Sequence, residues 1–120
     1  MKYLLLVIGF HADGLELADP GTAEAPGPTV EEFQAFERAM VDAGIRVDGS
    51  PLASIEDATT VQVRANGERV VTNGPFAETR EYLGGYDVID VPDLDTALEW
   101  AARCPGARYG RVEVRPLLQF

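Results

Sequence analysis

The side chains suited to chemistry on a small molecule are His11, Asn73, Glu78, Glu81 and Tyr86. His11 is the only histidine. It follows an apolar run and has the titration range of a general base near neutral pH; a solvated loop residue is its plainer role and the preferred one. Glu78 and Glu81 come just after a Gly-Pro corner. Either carboxylate would orient a ligand, or act as acid or base if burial raised its pKa. The plainer reading is a solvated charge or a pair with Arg80. Asn73, Gly74, Pro75 and Phe76 form the corner itself, and with Tyr86 they are the candidate ligand-binding residues. Asn73 offers an amide, Phe76 a pocket wall and Tyr86 a hydroxyl handle. A turn residue, a core ring and a sheet-packing ring are their respective alternatives.

No nucleophile triad or phosphate loop is legible. His11 with Asp13 and Glu16 has no recognised metal spacing, so no metal site is expected. Cys104 is the lone cysteine and reads as a small buried apolar residue rather than a nucleophile. If the chain is an enzyme, these groups suit cofactor-independent acid–base chemistry on a small organic molecule. The catalytic residues stay unassigned, with His11, Glu78 and Glu81 as candidates, and no cofactor is expected.

The elements that would position these groups fit one domain over residues 1–120. That length holds one core and is short for two. The formal net charge of −10 disfavours nucleic acid and anionic lipid as partners. A single unpaired thiol fits a reducing cytoplasm. The short run after Lys2 is broken at His11-Ala12-Asp13-Gly14 without a cleavage signature, so it reads as a strand rather than a signal peptide.

Residues 3–10 are apolar without alternation, which predicts a central strand covered on both faces. The helices of one small domain cover one face of a sheet. A second copy of the chain is the simplest cover for the other. Residues 11–28 read as a long loop. Thr29-Val30-Glu31-Glu32 predicts a capping box opening a helix, with Phe33, Phe36 and Met40 as its apolar stripe and Gly44 at its C-terminal end. Glu31-Glu32 and Glu37-Arg38 read as its wet face.

Arg46 to Ala53 reads as a short irregular strand broken at Gly49-Ser50-Pro51. Thr60 to Arg64 and Glu68 to Thr72 form a hairpin about Asn66-Gly67, a type I′ signal. Tyr86 to Val91 is a further strand. A second helix opens at Asp93, buries Leu94, Ala97, Leu98 and Ala101, and stops at Cys104 before Pro105. Arg111 to Arg115 alternates as the last strand. The predicted class is α+β: a ferredoxin-like split β-α-β arrangement with an inserted hairpin.

Several segments together resemble the YCII-related proteins, in the branch named for a D-G-P-F motif. They are Met1 to Leu6, Gly74-Pro75-Phe76-Ala77-Glu78-Thr79 with Glu81, Leu83-Gly84-Gly85-Tyr86, Asp93 to Ala101, Cys104-Pro105, and Val112 to Pro116. The resemblance implies a dimeric α+β barrel of two ferredoxin-like subunits, with a cleft near the Gly-Pro-Phe corner. The family's activity is largely undefined; the first reading is a cytoplasmic homodimer that binds a small molecule in that cleft. Association with a sigma factor, as an interaction module without catalysis, is the alternative the resemblance suggests. Two positions depart from the pattern. Asn73 stands where the motif's name places an aspartate, and an amide cannot serve as a general base. Phe33 and Cys104 stand where the better-known branch carries a His and an Asp, so that dyad is missing here.

Overall fold

The computed structural model describes residues 1–10, 29–53, 55–74 and 81–119. In chain order the elements are β1 (Lys2–Phe10), α1 (Val30–Asp42), β2 (Arg46–Pro51), a 3-10 turn (Ile55–Asp57), β3 (Thr59–Val63), β4 (Arg69–Asn73), β5 (Glu81–Asp90), α2 (Leu94–Arg103), α3 (Gly106–Tyr109) and β6 (Arg111–Pro116). Four strands make an antiparallel sheet in the order β2-β5-β1-β6, and β3-β4 form a separate ribbon. The chain is thus α+β, compatible with a ferredoxin-like fold carrying an inserted hairpin.

β1 runs between β5 and β6, as its unbroken apolar sequence predicts. Its faces are not equivalent. Tyr3, Leu5 and Val7 are buried under the helices, while Leu4, Leu6 and Ile8 on the other face are only half-buried. Successive strand residues point to opposite faces, so register extends this division across the sheet. Leu5 sits opposite Asp87 and Val114, and Val7 opposite Gly85 and Val112, on the helix side. Leu4 and Leu6 face Val88 and Tyr86 on the far side, beside Arg115 and Glu113 of β6.

α1 begins as predicted. The Glu32 amide donates to Thr29 Oγ1 (3.1 Å) and the Thr29 amide to Glu32 Oε2 (3.2 Å), so the two residues satisfy each other's end groups. Phe36 and Met40 are buried and Phe33 packs against the core. The terminal cap residue is Ala43, with Gly44 following at φ 72°. Glu32 also pairs with Arg108 of α3 at 3.2 Å, tying the two helices across the surface.

α2 starts at Asp93, which accepts from the Thr96 amide at 2.8 Å. Of its four expected core residues only Ala97 and Ala101 are buried, while Leu94 and Leu98 are exposed. Ala97 and Ala101 form the buried side of the helix, and Trp100 rather than Leu98 packs against the core toward α1. Its ring lies 6.4 Å from that of Phe36, with the Arg103 guanidinium 4.2 Å from the indole centroid. Pro105 ends α2 as expected, but it also opens α3, because its fixed φ suits a helix start.

Three strand readings need correction. The hairpin is not a two-residue type I′ turn about Asn66-Gly67. The Gly67 amide donates to the Arg64 carbonyl (2.8 Å), which makes Ala65-Asn66 the central residues, and Gly67 comes next at φ 85°. A left-handed glycine after such a turn closes the ribbon as a bulge. Gly49-Ser50-Pro51 is not a break either. These residues continue β2 against Asp87, Tyr86 and Gly85, and Pro51 is tolerated because β2 is an edge strand. β5 is also longer than predicted, beginning at Glu81 rather than Tyr86.

Candidate functional site

A cavity of about 450 Å³ lies between α1 and the β2–β5 side of the sheet. Phe33, Phe36 and Met40 from α1, with Val7 of β1, give it apolar walls. Glu37 of α1, Arg46 of β2 and Asp87 of β5 are its charged lining. An apolar pocket with a few converging polar groups is the common form of a small-molecule site.

Two strand irregularities place these side chains. The β2–β5 register shifts between Arg46 and Asp48, leaving Arg46 opposite Ile89 on the helix side and Asp48 opposite Val88 on the far side. The β1–β5 register shifts where Val7 pairs with Gly85 and Ile8 with Leu83, so Gly84 is the extra residue. The Gly84 carbonyl is taken by the Leu52 amide at 2.9 Å. The Leu83-Gly84-Gly85-Tyr86 motif is therefore a β-bulge at the cavity wall, a position where bulges commonly re-aim side chains.

Gly49 allows the Asp87 carboxylate to lie against β2. A Cβ at position 49 would collide with Asp87 Oδ1 and stand 2.9 Å from the Tyr86 carbonyl oxygen and 3.1 Å from Arg46 Nη2. Arg46 Nη2 donates to the Gly49 carbonyl at 2.9 Å and lies 3.5 Å from Glu37 Oε1. Its Nε is buried, with no hydrogen-bond partner among the described residues.

Burial pushes the Asp87 carboxyl up to about 6. Arg46 opposes that shift and the Glu37 charge adds to it. Cys104 is buried under the same sheet. Desolvation pushes its thiol up to about 11 against the Gly106 amide, with the Asp87 charge adding to the rise. It is a thiol at neutral pH, not a nucleophile.

Asp87 thus has a measurable signature. Its folded pKa is raised above the unfolded value. The ionised group therefore opposes folding, and stability is lost as pH rises from about 4 through about 6. Asp87→Asn removes the penalty. Partial solvent access reduces the full shift to about 1 kcal/mol. Thermal melts should show the Asp87→Asn variant more stable than wild type by roughly 4 °C at pH 8 and no more stable at pH 4. An equal change at both pH values would mean that Asp87 titrates normally. Arg46 of β2, Glu37 of α1 and Cys104 after α2 are the groups that couple to it.

The residues singled out from the sequence are distributed differently. Tyr86 borders the cavity, but it pairs with Leu6 and Ser50 and so alternates away from Asp87. Its hydroxyl lies 3.5 Å from Asp48 Oδ2. Asn73 ends β4 opposite Thr59 and is exposed. Gly74 closes the ribbon, its amide donating to Ala58 (2.7 Å) and its carbonyl accepting from Thr60 Oγ1 (2.8 Å). Neither is among the described residues lining the cavity. Glu81 opens β5 opposite Phe10. His11, Pro75, Phe76 and Glu78 lie outside the described residues.

Sequence reasoning missed Glu37, Arg46 and Asp87. One signal was present: Asp87 is two residues from Ile89, hence on the same inward face of a strand. An acid in that alternation is desolvated. Among the described residues no group of three or more His, Cys, Asp or Glu side chains is placed to hold a metal ion, and no helix is long and apolar enough to cross a membrane.

Two comparisons bear on this architecture. The chain is 39% identical over 93 residues to an uncharacterized protein of Rhizobium meliloti (strain 1021), covering 76% of this chain and 74% of that protein. The family model for the YCII-related domain matches residues 15–120, which takes in α1, the ribbon, the glycine bulge and both strands that carry Arg46 and Asp87. On that span the chain belongs to the YCII-related domain family.

Proposed function

We propose that this chain works as a homodimer that binds a small organic molecule in the cavity between α1 and the sheet. The observation that carries the reading is the combination of open apolar volume with Arg46 and Asp87 at its wall. Support for the dimer comes from the far face of the sheet, where Leu4, Leu6, Ile8 and Val88 are half-buried in a single chain. A second sheet laid on that strip would remove apolar area from water. In the sequence the Gly-Pro-Phe corner precedes β5, which begins at Glu81 and carries the glycine bulge at the cavity wall.

The test is a thermal-shift screen against a metabolite library on two proteins, wild type and Val30→Trp. Val30 lines the cavity and is 47% exposed, so the larger ring is tolerated there and blocks the space. Binding at about 100 times the dissociation constant stabilises by roughly 2.7 kcal/mol. Compounds of that kind should raise the melting temperature of wild type and fail on the variant. Hits that stabilise both equally would move the ligand elsewhere. Sedimentation of Leu6→Glu should give a single-chain species where wild type gives a pair; a wild type that sediments as one chain would remove the dimer.

A further inference from the structure

Arg46 and Asp87 line the same cavity on either side of Gly49, yet Arg46 is turned to Glu37 and to the Gly49 carbonyl. The guanidinium is under-bonded among the described residues, where its Nε–H has no acceptor. A buried donor left unsatisfied is destabilising, and an acceptor that reaches it gains accordingly. The carboxylate is poorly solvated and lacks full compensation. With Asp87 ionised, the three groups Glu37, Arg46 and Asp87 sum to one negative charge inside a chain that is itself acidic.

Such a wall discriminates by charge. An anionic ligand would satisfy the guanidinium but meet the partly desolvated Asp87 carboxylate, with the more exposed Glu37 carboxylate adding to the repulsion. A cationic ligand would satisfy Asp87 but face Arg46 and leave its Nε–H without an acceptor. A neutral group holding an acceptor beside a donor meets both needs. Because the Nε is itself buried, the carbonyl of such a group accepts from the guanidinium once that side chain swings from the Gly49 carbonyl toward the cavity, and the group's N–H or O–H donates to Asp87. The remaining lining, with Phe33, Phe36, Met40 and Val7, suits an apolar body.

We propose that Arg46 and Asp87 select an uncharged ligand that joins an apolar body to an adjacent carbonyl acceptor and hydrogen-bond donor, as in a carboxamide or lactam. This rests on the reading that the cavity is the ligand site, and the experiment separates the two. Four probes are titrated at pH 8 against the ¹⁵N-labelled full chain: 3-phenylpropanamide, 3-phenylpropanoate, 3-phenylpropylamine and toluene. Amide shifts of residues lining the cavity report binding. The carboxamide should bind at least about tenfold more tightly than the other three, the worth of one well-made hydrogen bond to a charged group. Arg46→Met and Asp87→Asn should each remove most of that preference while toluene binding persists.

Equal affinity for toluene and the carboxamide overturns the inference and leaves the cavity reading standing. So does tightest binding of the carboxylate or the amine, or a preference untouched in both variants. Failure of all four probes to shift any lining residue overturns both.

Discussion

Gly110→Ala should lose about 3 kcal/mol of stability, lowering the melting temperature by roughly 12 °C. Gly110 caps α3, its amide donating to the Gly106 carbonyl at 2.9 Å. There the chain crosses the end of β1 before entering β6. A Cβ at this position would collide with the Ile8 carbonyl oxygen and stand 3.2 Å from Gly9 Cα. Both obstacles are backbone, so no side-chain rotation relieves them. Relief requires either β1 or the α3–β6 corner to move, and β1 is held by ladders on both edges. The cost therefore falls on the central strand. Chemical denaturation should show a lower midpoint with an unchanged slope. A midpoint within experimental error of wild type would show that the corner is slack.

Leu5→Ala is the second large effect, with an expected loss of about 3–4 kcal/mol. Leu5 is 0% exposed, in the middle of the central strand, and belongs to the core cluster with Phe36, Met40 and Ile89. Deleting its branched end leaves a void that rigid backbone on both sides cannot close. The register adds a second readout, since Leu5 lies directly opposite Asp87. Part of what desolvates that carboxyl is the neighbouring hydrocarbon. In the variant the Asp87 titration, followed by carboxyl ¹³C shifts, should move down from about 6 toward the ordinary carboxylate range. A full stability loss with no movement of the titration would show that other contacts set the burial of Asp87.

These expectations separate two kinds of information in the chain. Local chemistry was legible. Thr29 and Glu32 announced α1, Asp93 announced α2, Pro105 marked its end, and the unbroken Tyr3–Phe10 run marked a central strand. Each depends on interactions within a few residues, or on the average surroundings of one segment, and these can be read from neighbouring letters. Even where local signals misled, the error was of register or packing. Leu98 has the period of a core residue, but it is exposed and Trp100 meets Phe36 of α1 instead.

The candidate site was not legible. The chemistry-bearing letters that stood out, His11 and the carboxylates near Gly74-Pro75, drew attention by their type and by the turn beside them. Glu37, Arg46 and Asp87 looked like ordinary charges on a wet helix face and two strands. Their sequence separation hides their meeting, and two one-residue shifts in the ladders decide which face each strand residue takes.

By itself the sequence determined the order of the strands and of the two long helices, the caps that open those helices, the α+β class and membership in the YCII-related family; the short α3 and the 3-10 turn came only with the structure. Only the tertiary structure decided that an arginine and an aspartate share an apolar cavity beside Gly49, and that the aspartate is lifted to about 6. The reason is physical: caps and periodicity are short-range properties of the chain, whereas desolvation and cross-strand register exist only once distant segments have packed.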